Sequence, residues 1–506
     1  MAEGFRPSRR EVLLGAASAA AMLAASGPFR GAAAAIDELS DLTAVQAVQA
    51  LAAGQMSTTE YAEALLARAE RYKDLNAFIS LDPEGMMASA KAVDARFGPG
   101  RETAPLFGLP FAVKDNINSA ALPTTGGTPA LKDFRPPANA PVLQSVLDAN
   151  GILMGKLNMH ELAFGITSNN QAFGPVHNPY DPSLIPGGSS GGTAAAVAAR
   201  IFPVGLGTDT GGSTRIPAAL CGIVGFRPSL GRWPQTGIVP LSYTRDTAGP
   251  MGRTVDDIIL MDEVCGHPHV VVPTVRLEGI RIGVPRRYFY EGLDPELEAV
   301  VNETLEALSN AGAILVEANM PNIGGLNGAV SFPLVLFEVL REMSAYLYRA
   351  GSRMSVIDLV EQVAGDAERQ ILMSQMGDDA VPAAAYREVM TLHRPNLQRA
   401  YNEYFTNNDV AAMIVPTTPL PARPIGQDQT VELNGEQVPT FVTYIRNTDP
   451  PSNAGLPCLS LPVGLTASGL PVGMEIVGPF QRDDTLLGIG RAIEALRGVL
   501  PPPAMG

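Results

Sequence analysis

Cysteine is almost absent from this 506-residue chain: Cys221, Cys265 and Cys458 are its full complement. An odd number with no CxxC pair excludes a disulfide framework. Buried free thiols are the expected state, with a bridge between two of the three left open. Histidine is as sparse. His160, His177, His267, His269 and His393 include no pair at the spacing of a zinc-binding helix, and nothing nominates one for a Ser-His-Asp triad. His267-Pro-His269 reads as a surface connector. No metal and no cofactor are expected. Basic charge is also in deficit, with 36 Lys and Arg against 51 Asp and Glu and a net charge of −15. That balance argues against nucleic acid or an anionic membrane as partner. There is no internal repeat, and no low-complexity linker after the N-terminus.

What is present in quantity is apolar: 46% of residues are hydrophobic and 17% charged, ample for a large core. The 51 glycines and 43 prolines are dispersed and imply many tight loops. Residues 1–35 differ from the rest. Ser8-Arg9-Arg10-Glu11-Val12-Leu13-Leu14 is a twin-arginine pattern, followed by an Ala/Leu run and small residues at Gly31 to Ala35. A basic start, an apolar stretch and an A-x-A site make a cleavable signal. The apolar run Val12 to Gly27 is 16 residues, short of the ~20 needed to span a bilayer. Residues 1–35 are therefore expected to be a twin-arginine signal peptide, cleaved near Ala34 or Ala35, and residues 36–506 the mature domain. The destination would be the periplasm or the exterior, with no stable membrane insertion after cleavage. Removing the segment's net charge of +2 leaves −17.

Helical periodicity runs from Thr43 to Tyr72 in two stretches, the second opened by a capping box at Ser57-Thr-Thr-Glu60. Leu109 to Val113 reads as a buried strand ending at Lys114. Val142 to Ala149 predicts a helix and Ile152 to Gly155 a strand. A helix opens at the glycines after Ser190, Phe202 to Gly207 predicts a strand, and Pro217 to Val224 begins another helix. Asp294-Pro295 caps a helix to about Asn310. Residues 320–405 read as mostly helical. Arg281 to Val284, Val410 to Val415, Leu459 to Val463 and Val472 to Val477 are further strands. The alternation implies an α/β protein with a large mixed sheet sandwiched between helices.

Three segments carry chemistry. Lys114 terminates an apolar strand in Phe111-Ala-Val-Lys-Asp-Asn116; a lysine that loses its solvation there has a lowered pKa and can act as a base. Ser189 lies in Gly187-Gly-Ser-Ser-Gly-Gly192. Ser213 lies in Asp209-Thr-Gly-Gly-Ser-Thr-Arg215, where glycines permit a sharp turn and leave the N–H groups of Thr210, Gly211, Gly212 and Ser213 free to face a developing oxyanion. Taken singly, each has a plainer reading: a surface lysine, a flexible loop, a capped turn. The serine doublet also fits G-x-S-x-G twice, but Asn178-Pro-Tyr-Asp-Pro-Ser183 is turn chemistry where a nucleophile elbow needs a buried strand.

Together these segments resemble the amidase signature family, and the resemblance runs from about Leu39 to about Ala495. The stretch from Gly187 through Arg215 to Phe226 is its hallmark, and Ser189 follows Lys114 by 75 residues and precedes Ser213 by 24, as in the family. The resemblance implies a single-domain amidase signature fold. It implies Ser213 as nucleophile, Ser189 as a relay behind a cis peptide bond from Gly188, Lys114 as base, and Thr210, Gly211, Gly212 and Ser213 as the oxyanion loop. Asp209 and Arg215 are expected to pair and brace that loop. Asn158 to Leu162, Gly165 to Asn170 and Thr244 to Met251 look most like bacterial aryl-acetamide hydrolases, which release ammonia from a primary amide. Such an enzyme takes a small-molecule amide substrate, with a homodimer left open. Phe332, Leu336 and Phe337, on a stripe with Met343 and Tyr346 that is mostly helix core, are candidates for the pocket wall, and Thr125, Gly126 and Met159 for its mouth. An anilide, ester or carbamate hydrolase with the same triad is the alternative. The family's amidotransferase subunit in transfer-RNA charging fits poorly with export. A non-catalytic periplasmic binding protein is the alternative of another class, opposed by the presence of all three triad residues.

Overall fold

In the computed structural model, which describes residues 32–97, 104–266 and 271–505, the anticipated strands join others in one eleven-stranded mixed sheet. The expected signal segment lies outside the described residues but for Ala32 to Ala35, and so do His267 and His269. In chain order the strands are β1 (Phe78–Leu81), β2 (Pro110–Lys114), β3 (Ile152–Leu157), β4 (Val204–Asp209), β5 (Val224–Arg227), β6 (Thr247–Gly252), β7 (Arg281–Gly283), β8 (Ile314–Val316), β9 (Ala412–Pro416), β10 (Cys458–Leu465) and β11 (Pro471–Val477). Across the sheet they run β1-β3-β2-β4-β6-β5-β10-β11-β9-β7-β8. β2 is parallel to both β3 and β4, while β4 is antiparallel to β6. Every residue of β2, β4, β9 and β11 is buried, as continuous apolar strands covered on both faces must be.

Local chemistry explains the elements that position the site. Ser57 and Glu60 form the expected capping box, and Thr43 with Gln46 forms another one turn-and-helix earlier. Asp294 caps Pro295–Asn310, accepting from Glu296 and Leu297. Helix α1 (Gly191–Ala198) follows the serine doublet and is made of small residues, all buried. Helix α2 (Arg215–Cys221) starts earlier and stops sooner than the helix expected from Pro217: Gly222 adopts φ 67° and ends it, so Val224 belongs to β5. Residues 320–405 are mostly helical as expected, including α3 (Ser331–Arg349) and α4 (Asp366–Ser374). Among the described residues, the run Ile323–Arg349 is long and apolar enough to cross a membrane by length and composition. In this fold α3 buries Leu334, Val339, Met343 and Leu347.

Cys221, Cys265 and Cys458 are buried free thiols. Burial pushes the thiol pKa of each upward, which keeps them protonated and unreactive.

Candidate active site

The parallel pairing of β2 with β4 brings Lys114 and Thr208 together at adjacent strand ends. Lys114 is fully buried, and its Nζ lies 2.6 Å from Ser189 Oγ and 2.8 Å from Thr208 Oγ1. Thr208 Oγ1 also accepts from Asn116 Nδ2 at 3.0 Å. Burial lowers the Lys114 pKa to about 7, against the opposing charges of Asp209 and Asp246. The amine therefore titrates near neutral pH, where both its neutral and its charged forms are accessible. Asp115, the next residue, anchors the strand end: it pairs with buried Lys156 at 2.8 Å and accepts from Thr125 N–H at 3.0 Å and from the Thr125 hydroxyl.

Ser189 is buried, and the peptide bond joining it to Gly188 is cis. Its carbonyl accepts from His160 N–H at 3.1 Å. Ser190 N–H donates to Ser213 C=O at 3.3 Å, tying the serine doublet to the loop after β4. Ser213 retains 8% exposure and opens onto a cavity. Gly212 adopts φ 144°, and a Cβ there would collide with Thr448. Among the described residues, the N–H groups of Gly211, Gly212 and Ser213 have no protein acceptor.

A buried charge network fixes this loop. Asp209 accepts from Arg215 Nε and Nη2 at 3.0 and 2.9 Å, from Arg227 Nη1 at 2.9 Å and from Thr214 N–H at 3.1 Å. Burial alone would raise the Asp209 pKa, but the two guanidinium charges outweigh it and hold the carboxyl far below its usual range. Arg215 reaches on to Glu475 at 2.7 Å and Ser452 at 2.6 Å, so β4, α2, β11 and the 449–454 helix are locked together.

The cavity beside Ser213 has a volume of about 370 Å³. Its wall is largely apolar, with Phe164, Ile166, Leu241, Phe332, Leu336 and Phe441 facing it. The polar lining includes Thr210, Arg245, Asp449, His160 and Glu368. Of the pocket candidates, Phe332 and Leu336 lie here. Thr125, Gly126, Met159 and Phe337 do not. Thr125 is bound to Asp115, Gly126 N–H donates to Asp115 C=O, and Met159 is packed in the core beneath α3. Phe337 stacks on Tyr386 with ring centroids 4.1 Å apart. The geometry of helix α3 is the cause: its i, i+4 face carries Phe332 and Leu336 to the cavity, and the next residue points elsewhere.

Sequence reasoning did not single out His160, Thr208, Arg245, Asp246 or Asp449. The first four sit in or beside stretches it had marked. Asp449 carries no local signal, since it arrives from more than 200 residues away to pair with Arg245 at 2.5 Å. His160 Nε2 meets Glu368 Oε1 of α4 at 2.8 Å, and Glu161 accepts from the N–H groups of Ala364 and Gly365 at 3.0 and 2.8 Å. Two successive residues thus clamp α4 over the cavity. Among the described residues, no group of His, Cys, Asp and Glu could hold a metal ion.

With this geometry in view, a family model described as Amidase matches residues 60–487. Indoleacetamide hydrolase of Rhizobium radiobacter is 44% identical over 453 residues, covering 90% of this chain and 96% of the relative. Mandelamide hydrolase of Pseudomonas putida is 38% identical, covering 92% of this chain and 94% of the relative. A solved amidase crystal structure superposes with a TM-score of 0.81 at 33% identity, covering 90% of this chain and all of the other. The chain belongs to the Amidase family and is an amidase, a hydrolase of amide C–N bonds.

Proposed function

We propose that this amidase hydrolyses aryl or arylalkyl primary amides through an acyl-enzyme on Ser213, with release of ammonia. The observation that carries the reading is the 2.6 Å contact between buried Lys114 Nζ and Ser189 Oγ, beside a loop whose serine opens onto a mostly apolar cavity. Neutral Lys114 takes the proton of Ser189, which takes that of Ser213, and Ser213 Oγ attacks the amide carbonyl. The oxyanion is received by N–H groups of the loop 210–213, each such donor being worth ~3–4 kcal/mol in the transition state. The resulting Lys114 ammonium returns the proton through Ser189 to the leaving amine. Water then attacks the acyl-enzyme along the same relay, releasing the carboxylic acid. Gly188, Asp209 and Arg215 hold the two serine segments in place.

The cavity supports an aromatic acyl group, since flat rings are held by apolar walls, and the resemblance to indoleacetamide and mandelamide hydrolases points the same way. Export by the twin-arginine route, with residues 1–35 removed, places the reaction in the periplasm or outside the cell. The test is release of ammonia from phenylacetamide and mandelamide, compared with aniline from acetanilide and an aryl carbamate, with Ser213→Ala alongside. Ammonia release that vanishes in the variant supports the reading. Aniline release with little ammonia moves the substrate class to anilides or urethanes.

A further inference from the structure

Arg245 and Asp246 hold the two polar ends of one residue in the loop. Asp246 Oδ1 accepts from Thr210 Oγ1 at 2.6 Å, while Arg245 Nη2 donates to Thr210 C=O at 3.2 Å. The other oxygen of Asp246 accepts from the N–H groups of Leu241 and Ser242 at 2.8 and 2.9 Å. All three partners of the carboxylate are neutral. Between Asp246 and the β2 end lies a second, smaller cavity of about 30 Å³, lined by Asn116, Thr208, Thr210 and Asp246 among others. Asn116 is 2% exposed, and its Oδ1 has no hydrogen-bond partner. The chamber is thus polar and about the size of one water molecule. It separates the carboxylate from Thr208, the residue that accepts from Lys114.

Asp209 and Arg245 nearby are paired with opposite charges. Asp209, at the end of β4, is held by Arg215 and Arg227. Arg245 pairs with Asp449 of the 449–454 helix. Glu338 of α3 accepts from the hydroxyls of Ser242, Thr244 and Tyr386, and Arg394 donates to Thr244 C=O. Tyr243 also lines the chamber. Asp246 and Glu338 both accept from neutral donors, and of the two it is Asp246 that lines the chamber beside Thr208.

We propose that Asp246 is a positioning residue of this amidase: it fixes Thr210 at the start of the oxyanion loop, and its charge acts across the side chamber on Lys114, favouring the ammonium form that returns a proton to the leaving amine. The inference rests on the acyl-enzyme reading above. Burial raises the pKa of Asp246 itself to about 6, so its charge develops across the acid foot of the Lys114 titration and is in place through the upper part of that range.

The test reads Lys114 directly and through turnover. The titration of its Cε is followed by ¹³C NMR, assigned with Lys114→Met, and the pH profile of kcat/KM is measured in parallel. In Asp246→Asn the Lys114 titration moves to lower pH by roughly one unit, and the acid limb of kcat/KM moves with it. Thr210→Val cuts the loop contact but keeps the charge: kcat falls roughly ten- to a hundredfold with the titration unmoved. Asp246→Glu retains the charge on a longer arm and keeps the titration in place; it stands in if the asparagine variant does not fold, since a moved titration there overturns the proposal. An unmoved Lys114 titration in folded Asp246→Asn also overturns it, whatever the change in kcat. Absence of amide turnover in the parent protein would instead count against the acyl-enzyme reading and leave the titration result to decide on Asp246.

Discussion

The hydroxyl oxygen of Thr208 lies 2.8 Å from Lys114 Nζ, on a strand parallel to the one that the lysine ends. A neutral amine has two N–H bonds and one lone pair. Donating to Thr208 turns an N–H away and leaves the lone pair for the Ser189 hydroxyl. Thr208→Val therefore lowers kcat/KM roughly ten- to a hundredfold, and Thr208→Ser restores most of it. Steady-state kinetics on the same amide checks both.

In the proposed mechanism, turnover follows the charge state of Lys114. With its pKa lowered to about 7 by burial, kcat/KM rises as pH rises through about 7 and then levels. Lys114→Arg stays protonated and is inactive across the range. A pH profile between 5.5 and 9.5 decides the point.

The same lysine destabilises the fold. An unfolded lysine titrates near ~10.4, so between about 7 and there the unfolded chain holds a proton that the folded chain does not. Stability accordingly rises with pH across that window, and the cost of burying the ammonium is full below about 7. Lys114→Met removes the cost. It abolishes turnover and raises the thermal midpoint relative to the parent, more at pH 6 than at pH 9, as differential scanning calorimetry would register.

Asp209 stands between two buried guanidinium groups, so Asp209→Asn leaves both short of a counter-charge. Loss of one partner from a buried ion network costs about 3–5 kcal/mol. Urea denaturation measures that, and unchanged stability with full activity would mean the network does not brace the loop.

In the cavity, Phe332→Ala raises KM for aryl amides more than it lowers kcat, because the ring lines the apolar wall of the cavity and belongs to neither serine segment. Phe337→Ala, one residue on, leaves KM within about twofold, since that ring is stacked on Tyr386 outside the cavity.

Much of this arrangement was legible because it is local. Lys114 ends an apolar run, and the glycines around Ser189 and Ser213 mark backbone that must turn sharply. Asp209 and Arg215 sit six residues apart and meet as expected. Strand β6 was illegible. Its Thr-Ala-Gly-Pro-Met-Gly sequence has no alternation and places Pro250 inside a sheet, which argues against a central strand. Gly249 is there because Phe226 C=O occupies the space a side chain would take. The pocket mouth failed for a related reason. Thr125 and Met159 are near the lysine in the fold, but their hydrogen bonds and packing turn them inward, and only long-range contacts decide that.

Side chains on a strand alternate between faces, so a slip of β2 by one residue against β4 would turn Lys114 away from Ser189 and Thr208. A chain so misassembled could keep its helices and much of its core, yet under the proposed mechanism it would be chemically silent. Turnover in a refolding mixture therefore counts only molecules whose central strands have found the correct alignment, which makes the enzyme a proofreader's gauge of its own assembly.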